Sequence, residues 1–287
     1  MRRGRWTAGR RALALAAAVA AGFAVPAAAD TSTQVAGALN FPWPELLPPL
    51  PTAQNPQPGP VPGCDRPSPA CIDGEIAHLA DLRARLGCDH RGVFATTYLV
   101  LTEALRDTVR RDPRFFADPD YLYYEDALFA DLYFRSVDRG ATGQPVPEAW
   151  RIAFDTAARG DANAGQDMLL GINAHVQRDM PFVLAHLGLR RPDGTSRKLD
   201  HDKVNEVLQR AYGPVVETIA RDYDPLLYTT NASWSPVDDV GGLELVKTWR
   251  EGVWRNAERL LNAGTDAERQ QVAQSIEDNA AAWARQI

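Results

Sequence analysis

From about residue 73 to the C-terminus, apolar residues recur every three to four positions, the spacing that keeps them on one face of an α-helix. The pattern predicts a first helix over 73–86, with Ile76, Leu79 and Leu86 inward, and a second over 90–111, through Phe94, Leu101, Leu105 and Val109. Asp118 followed by Pro119 is a capping residue with proline at the first helical position. It opens a third helix over 120–137, dense in aromatic residues. A short helix from Pro147 runs through Trp150 and Phe154 and closes at Gly160. Later stripes predict helices over 200–222, bent at Gly213-Pro214, and over 238–262, with a loop over 224–236 between them. Thr265 and Glu268 form a capping-box pair that opens the last helix. Nowhere do apolar residues alternate with period two over a strand's length, so the fold class is all-α. The expected architecture is a single domain of about eight helices over 71–287.

The stretch 161–187 is the most apolar helix, and the others are expected to pack around it. It nevertheless carries His175, Asp179 and His186. Positions i, i+4 and i+11 fall within about 40° of one another at the α-helical twist, so all three share one face. Pro181 removes a backbone donor and crowds the carbonyl four residues back, which predicts a kink and turns His186 away from the other two.

The N-terminal part reads differently. Arg2, Arg3, Arg5, Arg10 and Arg11 precede an apolar run over 12–25 and the small residues Ala27-Ala28-Ala29, the pattern of a signal peptide over 1–29 that directs export. Residues 41–69 hold 11 of the 21 prolines, which excludes helix and ladder alike and predicts an extended tail over 30–70. No other stretch is apolar and long enough to cross a membrane. The whole chain has 31 basic and 37 acidic residues; with the five leader arginines set aside, 26 basic residues face 37 acidic ones. That balance excludes a surface that coats nucleic acid. Export favours a disulfide among Cys64, Cys71 and Cys88. Cys64–Cys71 closes a short loop and is the preferred pair. Cys71–Cys88 would have to span a helix, and Cys64–Cys88 needs the loop to fold back.

Candidate chemistry gathers on the central helix. An imidazole and a carboxylate one turn apart can bind one cation or form a hydrogen-bonded couple. As a divalent-metal site, with zinc the first expectation, His175 and Asp179 would be ligands and His90, Asp126 or His201 would complete the set. Asn173, Arg178, Glu125, Tyr98, Tyr133, Asp202 and Asn205 are the expected surroundings. At least one of Glu125 and Asp126 must face inward, and Asp200 reads best as the N-terminal cap of its own helix. Three readings follow. The first is an exported metal-dependent hydrolase acting on a phosphoester or lipid head group. The second is a non-catalytic helical module of the cell envelope whose polar face is a buried hydrogen-bond network. The third is a metal-free pocket for a small or lipid-like apolar ligand, lined by tyrosines.

The runs CDHRGVFATTYLVLTEAL, EDALFADLYFRS, DMLLGINAHVQRDMPFVLAHLGL and DHDKVNEVL together resemble a bacterial family of mostly exported helical proteins, known as a domain of unknown function. The resemblance implies an all-α fold and marks Asn173, His175 and Asp179 as characteristic positions. The pattern His175-x-x-x-Asp179 with a later proline and histidine is similar to the helical motif of zinc-dependent phospholipases C and single-strand nucleases. That likeness implies secreted hydrolytic chemistry on several zinc ions. The chain departs from it in several respects: His186 follows Asp179 by seven residues where those enzymes space the pair by six, the proline comes too early, the mature chain does not begin with their ligating Trp, and five histidines are too few for a trinuclear site.

Overall fold

Asn163 opens the central element with a reciprocal cap. Its side chain accepts from Gln166 N–H (2.9 Å), while the Gln166 amide accepts from Asn163 N–H (3.2 Å). The computed structural model describes residues 58–227 and 239–287. The leader, most of the proline-rich tail and most of the 224–236 loop lie outside the described residues.

Eight helices make up the described chain: α1 Pro69–Leu86, α2 Gly92–Arg111, α3 Pro119–Ala141, α4 Glu148–Arg159, α5 over 164–187, α6 Lys198–Asp222, α7 Asp239–Asn262 and α8 Asp266–Ala284. Among the described residues there are no strands, only isolated bridges at Val61–Cys64 and Arg190–Ser196. None of the described helices is long and apolar enough to cross a membrane. The local signals act as their chemistry dictates. Asp118 accepts from Tyr121 N–H (3.3 Å) at the start of α3, and Gly160 ends α4 with φ +67°, a left-handed conformation that suits a residue without Cβ. Thr265 and Glu268 cap α8 reciprocally at 3.1 and 3.0 Å. The bond between Cys64 and Cys71 ties the chain ahead of α1 to its first turn, and Cys88 is free and exposed.

Two expectations change. Asp200 lies inside α6 rather than at its cap. Its carboxylate accepts from the N–H groups of Ala117 (2.9 Å) and Asp118 (3.1 Å) and from Arg191 (2.8 Å), so it satisfies free donors just ahead of α3. At Pro181 the helix widens instead. Residues Ala164–Ile172 are α-helical, Asn173–Asp179 form a π-helical stretch, and Met180–Leu187 return to α. Met180 N–H donates to the His175 carbonyl five residues back. Shifting the ladder this way accommodates the donor that proline lacks. His186 is exposed, away from the other polar residues of α5.

α5 runs through the middle of the bundle. Its first part packs on α2 and α4, its π stretch on α8, α7, α4 and α3, and its last part on α7 and α3. Around it Tyr133, Trp150, Val183 and Leu184 have almost no exposure. The approach of α5 to α2 is closest at Gly171, where a Cβ would stand 2.4 to 2.6 Å from Phe94 Cγ, Cδ2 and Cβ. Those atoms lie at the base of the ring and cannot swing aside. Gly171→Ala should therefore destabilise by about 1–3 kcal/mol or more. At an unobstructed helical position the same change would stabilise by up to about 1 kcal/mol. Urea unfolding of the pair decides by the sign.

Candidate functional site

The π stretch sorts its polar side chains into two groups. Asn173 donates to the Ala280 carbonyl (2.8 Å), Gln177 donates to Asn173 Oδ1 (2.7 Å), and Asn279 donates to Gln177 Oε1 (2.9 Å). Arg178 donates through Nε to Glu277 (3.0 Å) and through Nη1 to Asp179 Oδ1 (2.8 Å). Glu277 in turn accepts from Glu148 N–H (2.8 Å), at the start of α4. These residues are buried, and they stitch α5 to α8 and α4 with every charge paired.

His175 points the other way. Its ring stacks on Phe129, with centroids 3.4 Å apart and 5° between planes, and the edges of Tyr98 and Phe94 approach it at 4.8 and 5.5 Å. Nδ1 lies 3.2 Å from Asp179 Oδ2, which also accepts from the Trp150 indole (2.8 Å). Burial disfavours charge on Asp179, but the hydrogen bonds from His175 and Arg178 and the guanidinium charge outweigh it and hold the carboxyl below its usual range. Burial also lowers the His175 pKa, more than Asp179 raises it, so the imidazole is neutral. An ionised Asp179 takes the proton on Nδ1, which leaves Nε2 as an acceptor. Nε2 is buried and has no partner among the described residues, and His175 lines a cavity.

That cavity has a volume of about 940 Å³. It lies between α2, α3, α5, α6 and α7, and its wall is mostly aliphatic, with Leu101, Met168, Ile172, Val204, Val215 and Val246 representative. Such a size is at the upper end of the roughly 300–1,000 Å³ of ligand pockets. The polar lining includes Tyr98, Thr102, Glu125, Asp126, His175 and Arg250. Glu125 and Asp126 both face inward. Burial pushes Glu125 up to about 7 and Asp126 up to about 6. Behind Asp126 lies Glu75, buried on α1 and accepting from Thr102 Oγ1 (3.0 Å); burial first and the Asp126 charge second raise its pKa well above the ordinary range. Glu75 Oε2 has no partner while ionised, so a proton there supplies the hydrogen bond to Asp126. Tyr98 donates to Asp126 Oδ1 (3.1 Å).

The expected ligand set is not assembled. His175 and Asp179 touch, but His90 pairs with Asp167 (2.7 Å), Asp126 pairs with Tyr98 and Glu75, and the His201 Nε2 donates to the Arg250 carbonyl (3.2 Å). Among the described residues no group of three or more His, Cys, Asp or Glu is placed to hold a metal ion. The candidate donors are spread over separate pairs rather than gathered at one point, so the described residues do not assemble the expected ligand set. Asp202 is exposed and pairs with Lys198 (2.6 Å), while Asn205 accepts from Arg250 Nε (2.9 Å). Tyr133 is wholly buried behind Phe94 and does not line the cavity.

Sequence reading missed Glu75, Trp150, Arg250 and Glu277. Two left a signal. Arg250 falls on the apolar stripe of α7, four residues after Val246 and three before Val253. Glu75 falls between Ile72 and Leu79 on the stripe of α1. A charged residue on a core-facing stripe marks a buried charge that needs a purpose.

No curated protein and no solved structure matches the chain, and the likeness to zinc-dependent phospholipases C and nucleases finds no support there. A family model does match, over residues 72–287, and it is described as a family of unknown function (DUF5995). It covers all eight helices except the first residues of α1. The chain belongs to that family.

Proposed function

We propose that this protein binds a lipid-like small molecule in the cavity between α2, α3, α5, α6 and α7, whose wall carries Nε2 of His175. The cavity carries the reading. A void of about 940 Å³ with an aliphatic wall leaves packing contacts unmade, which is costly unless something fills it. The buried Nε2 of His175 is an acceptor without a partner among the described residues, a polar point on that wall. The signal-peptide pattern over 1–29 supports a ligand met outside the cytoplasm.

The test is organic extraction of purified protein followed by mass spectrometry, with thermal unfolding before and after. A bound amphiphile, and a midpoint that falls when it is stripped, are expected. At a ligand concentration about a hundredfold above Kd, binding contributes about 2.7 kcal/mol. Val207→Trp, which fills the cavity from α6, should abolish binding while the protein still folds. A stripped protein whose midpoint ignores every added amphiphile would sink the reading.

A second reading, hydrolysis of an ester of such a ligand, is favoured by the same Nε2. A neutral imidazole with its tautomer fixed by Asp179 can take a proton from water as the oxygen adds to a carbonyl, then return it to the leaving alkoxide. Turnover of chromogenic acyl esters that is lost in His175→Gln tests it. Turnover unaffected by that change rules it out.

A further inference from the structure

We infer that the ligand is an acid whose carboxylate rests against the guanidinium of Arg250. This rests on the reading of the cavity as a ligand site. Arg250 is only 4% exposed, and among the described cavity-lining residues it is the sole lysine or arginine. All its hydrogen bonds go to uncharged groups: Asn205 Oδ1 (2.9 Å), the His201 carbonyl (2.6 Å), His201 Nδ1 (3.4 Å) and Met180 Sδ (3.6 Å). Among the described residues it forms no ion pair. The contrast with Arg178 is direct. That arginine is equally buried but faces away from the cavity, and it holds carboxylates at 2.8 and 3.0 Å. A buried guanidinium without an anion in contact is strongly destabilising. The protein leaves that cost in place at the wall of an open cavity.

The geometry leaves room for the missing anion. Nη1 has only a thioether as partner, a weak acceptor that a carboxylate oxygen would displace. The Glu125 carboxyl on the same wall does not close the site to an acid: burial favours its neutral form, and a protonated carboxyl donates a hydrogen bond to a carboxylate. Asp126 is engaged as an acceptor by Tyr98 and Glu75. His201, which accepts from Arg250 Nη2 and donates to its carbonyl, is held neutral by burial and by the Arg250 charge, so it aims the guanidinium without competing for the anion. The aliphatic wall takes the rest of the molecule. The ligand class is thus an aliphatic carboxylic acid.

Calorimetric titration of stripped protein with laurate, methyl laurate and dodecanol near neutral pH tests the inference. Laurate should bind at least about tenfold more tightly than the other two, as expected for a charge-assisted pair in a dry site. Arg250→Met should erase that advantage while leaving dodecanol within about twofold. Glu125→Gln, which removes the carboxylate whose charge acts most strongly on Arg250, should preserve or widen it. Equal affinity of the acid and its ester for the unaltered protein overturns the inference, as does a preference for acid that survives Arg250→Met. The acid–ester comparison needs no variant, so a variant that fails to fold does not obstruct the decision. Failure of all three probes to bind would overturn the cavity reading together with this one.

Discussion

Asp179→Ala is expected to lower the unfolding free energy by about 3–5 kcal/mol, the largest single-residue effect in the bundle. The carboxylate has no exposure and serves three donors: Trp150 Nε1 at 2.8 Å, Arg178 Nη1 at 2.8 Å and His175 Nδ1 at 3.2 Å. Removing it strands two neutral donors and takes a paired carboxylate from a buried guanidinium, and breaking a buried pair from one side typically costs this much. Asp179→Asn keeps the shape and one acceptor, and it should cost less than the alanine change but more than about 1 kcal/mol. Chemical denaturation of the three proteins measures the order. An alanine variant within about 1 kcal/mol of the parent would show that water replaces the carboxylate and that the pairing is not structural. The same variant frees the imidazole tautomer, so any dependence of ligand binding on His175 should weaken with it.

Glu125→Gln should stabilise the protein, and only at higher pH. Burial pushes the Glu125 carboxyl from 4.5 to about 7, even with the Arg250 charge drawing it down. The folded state therefore holds the proton more tightly than the unfolded chain, and stability falls as pH rises through the window from about 4.5 to about 7. Above it the ionised side chain costs about 2–3 kcal/mol, whereas glutamine has nearly the same shape and no charge. The difference in unfolding free energy between variant and parent should be near zero at about pH 4 and reach about 2–3 kcal/mol at about pH 8. Burial lowers the pKa of His175 and His201, which gives the opposite slope below about 6.5. That contribution is common to both proteins and cancels in the difference. A difference that stays flat across the window would mean that Glu125 is ionised in the fold, for instance through a close approach to Arg250.

Some of the site was legible because it is local. His175 and Asp179 are one turn apart, and a carboxylate at i+4 on a buried helix has few other places to turn. The caps at Asp118 and Thr265 and the stop at Gly160 involve neighbours within a few residues. The proline in α5 was legible as a disturbance but not in its outcome. A kink and a π stretch both answer a missing donor, and the packing of α8, α7 and α4 on that segment decides between them. Asp200 shows the same limit. Acid near a helix start reads as a cap, yet its donors come from Ala117 and Asp118, which sequence distance hides.

The repeating apolar stripes determined by themselves an all-α bundle with α5 at its centre, because burying one face of each helix is a property of spacing along the chain. They also singled out His175 and Asp179. The tertiary structure alone decided what those residues serve. Glu277 and Ala280 lie about a hundred positions from the side chains they receive, so the network that absorbs Asn173, Arg178 and Asp179 exists only once α8 is docked. The cavity is equally invisible along the chain. Leu101, Val204 and Val246 have the same pattern whether they meet a neighbour or line an empty space, and how far five helices stand apart is set by all of them together.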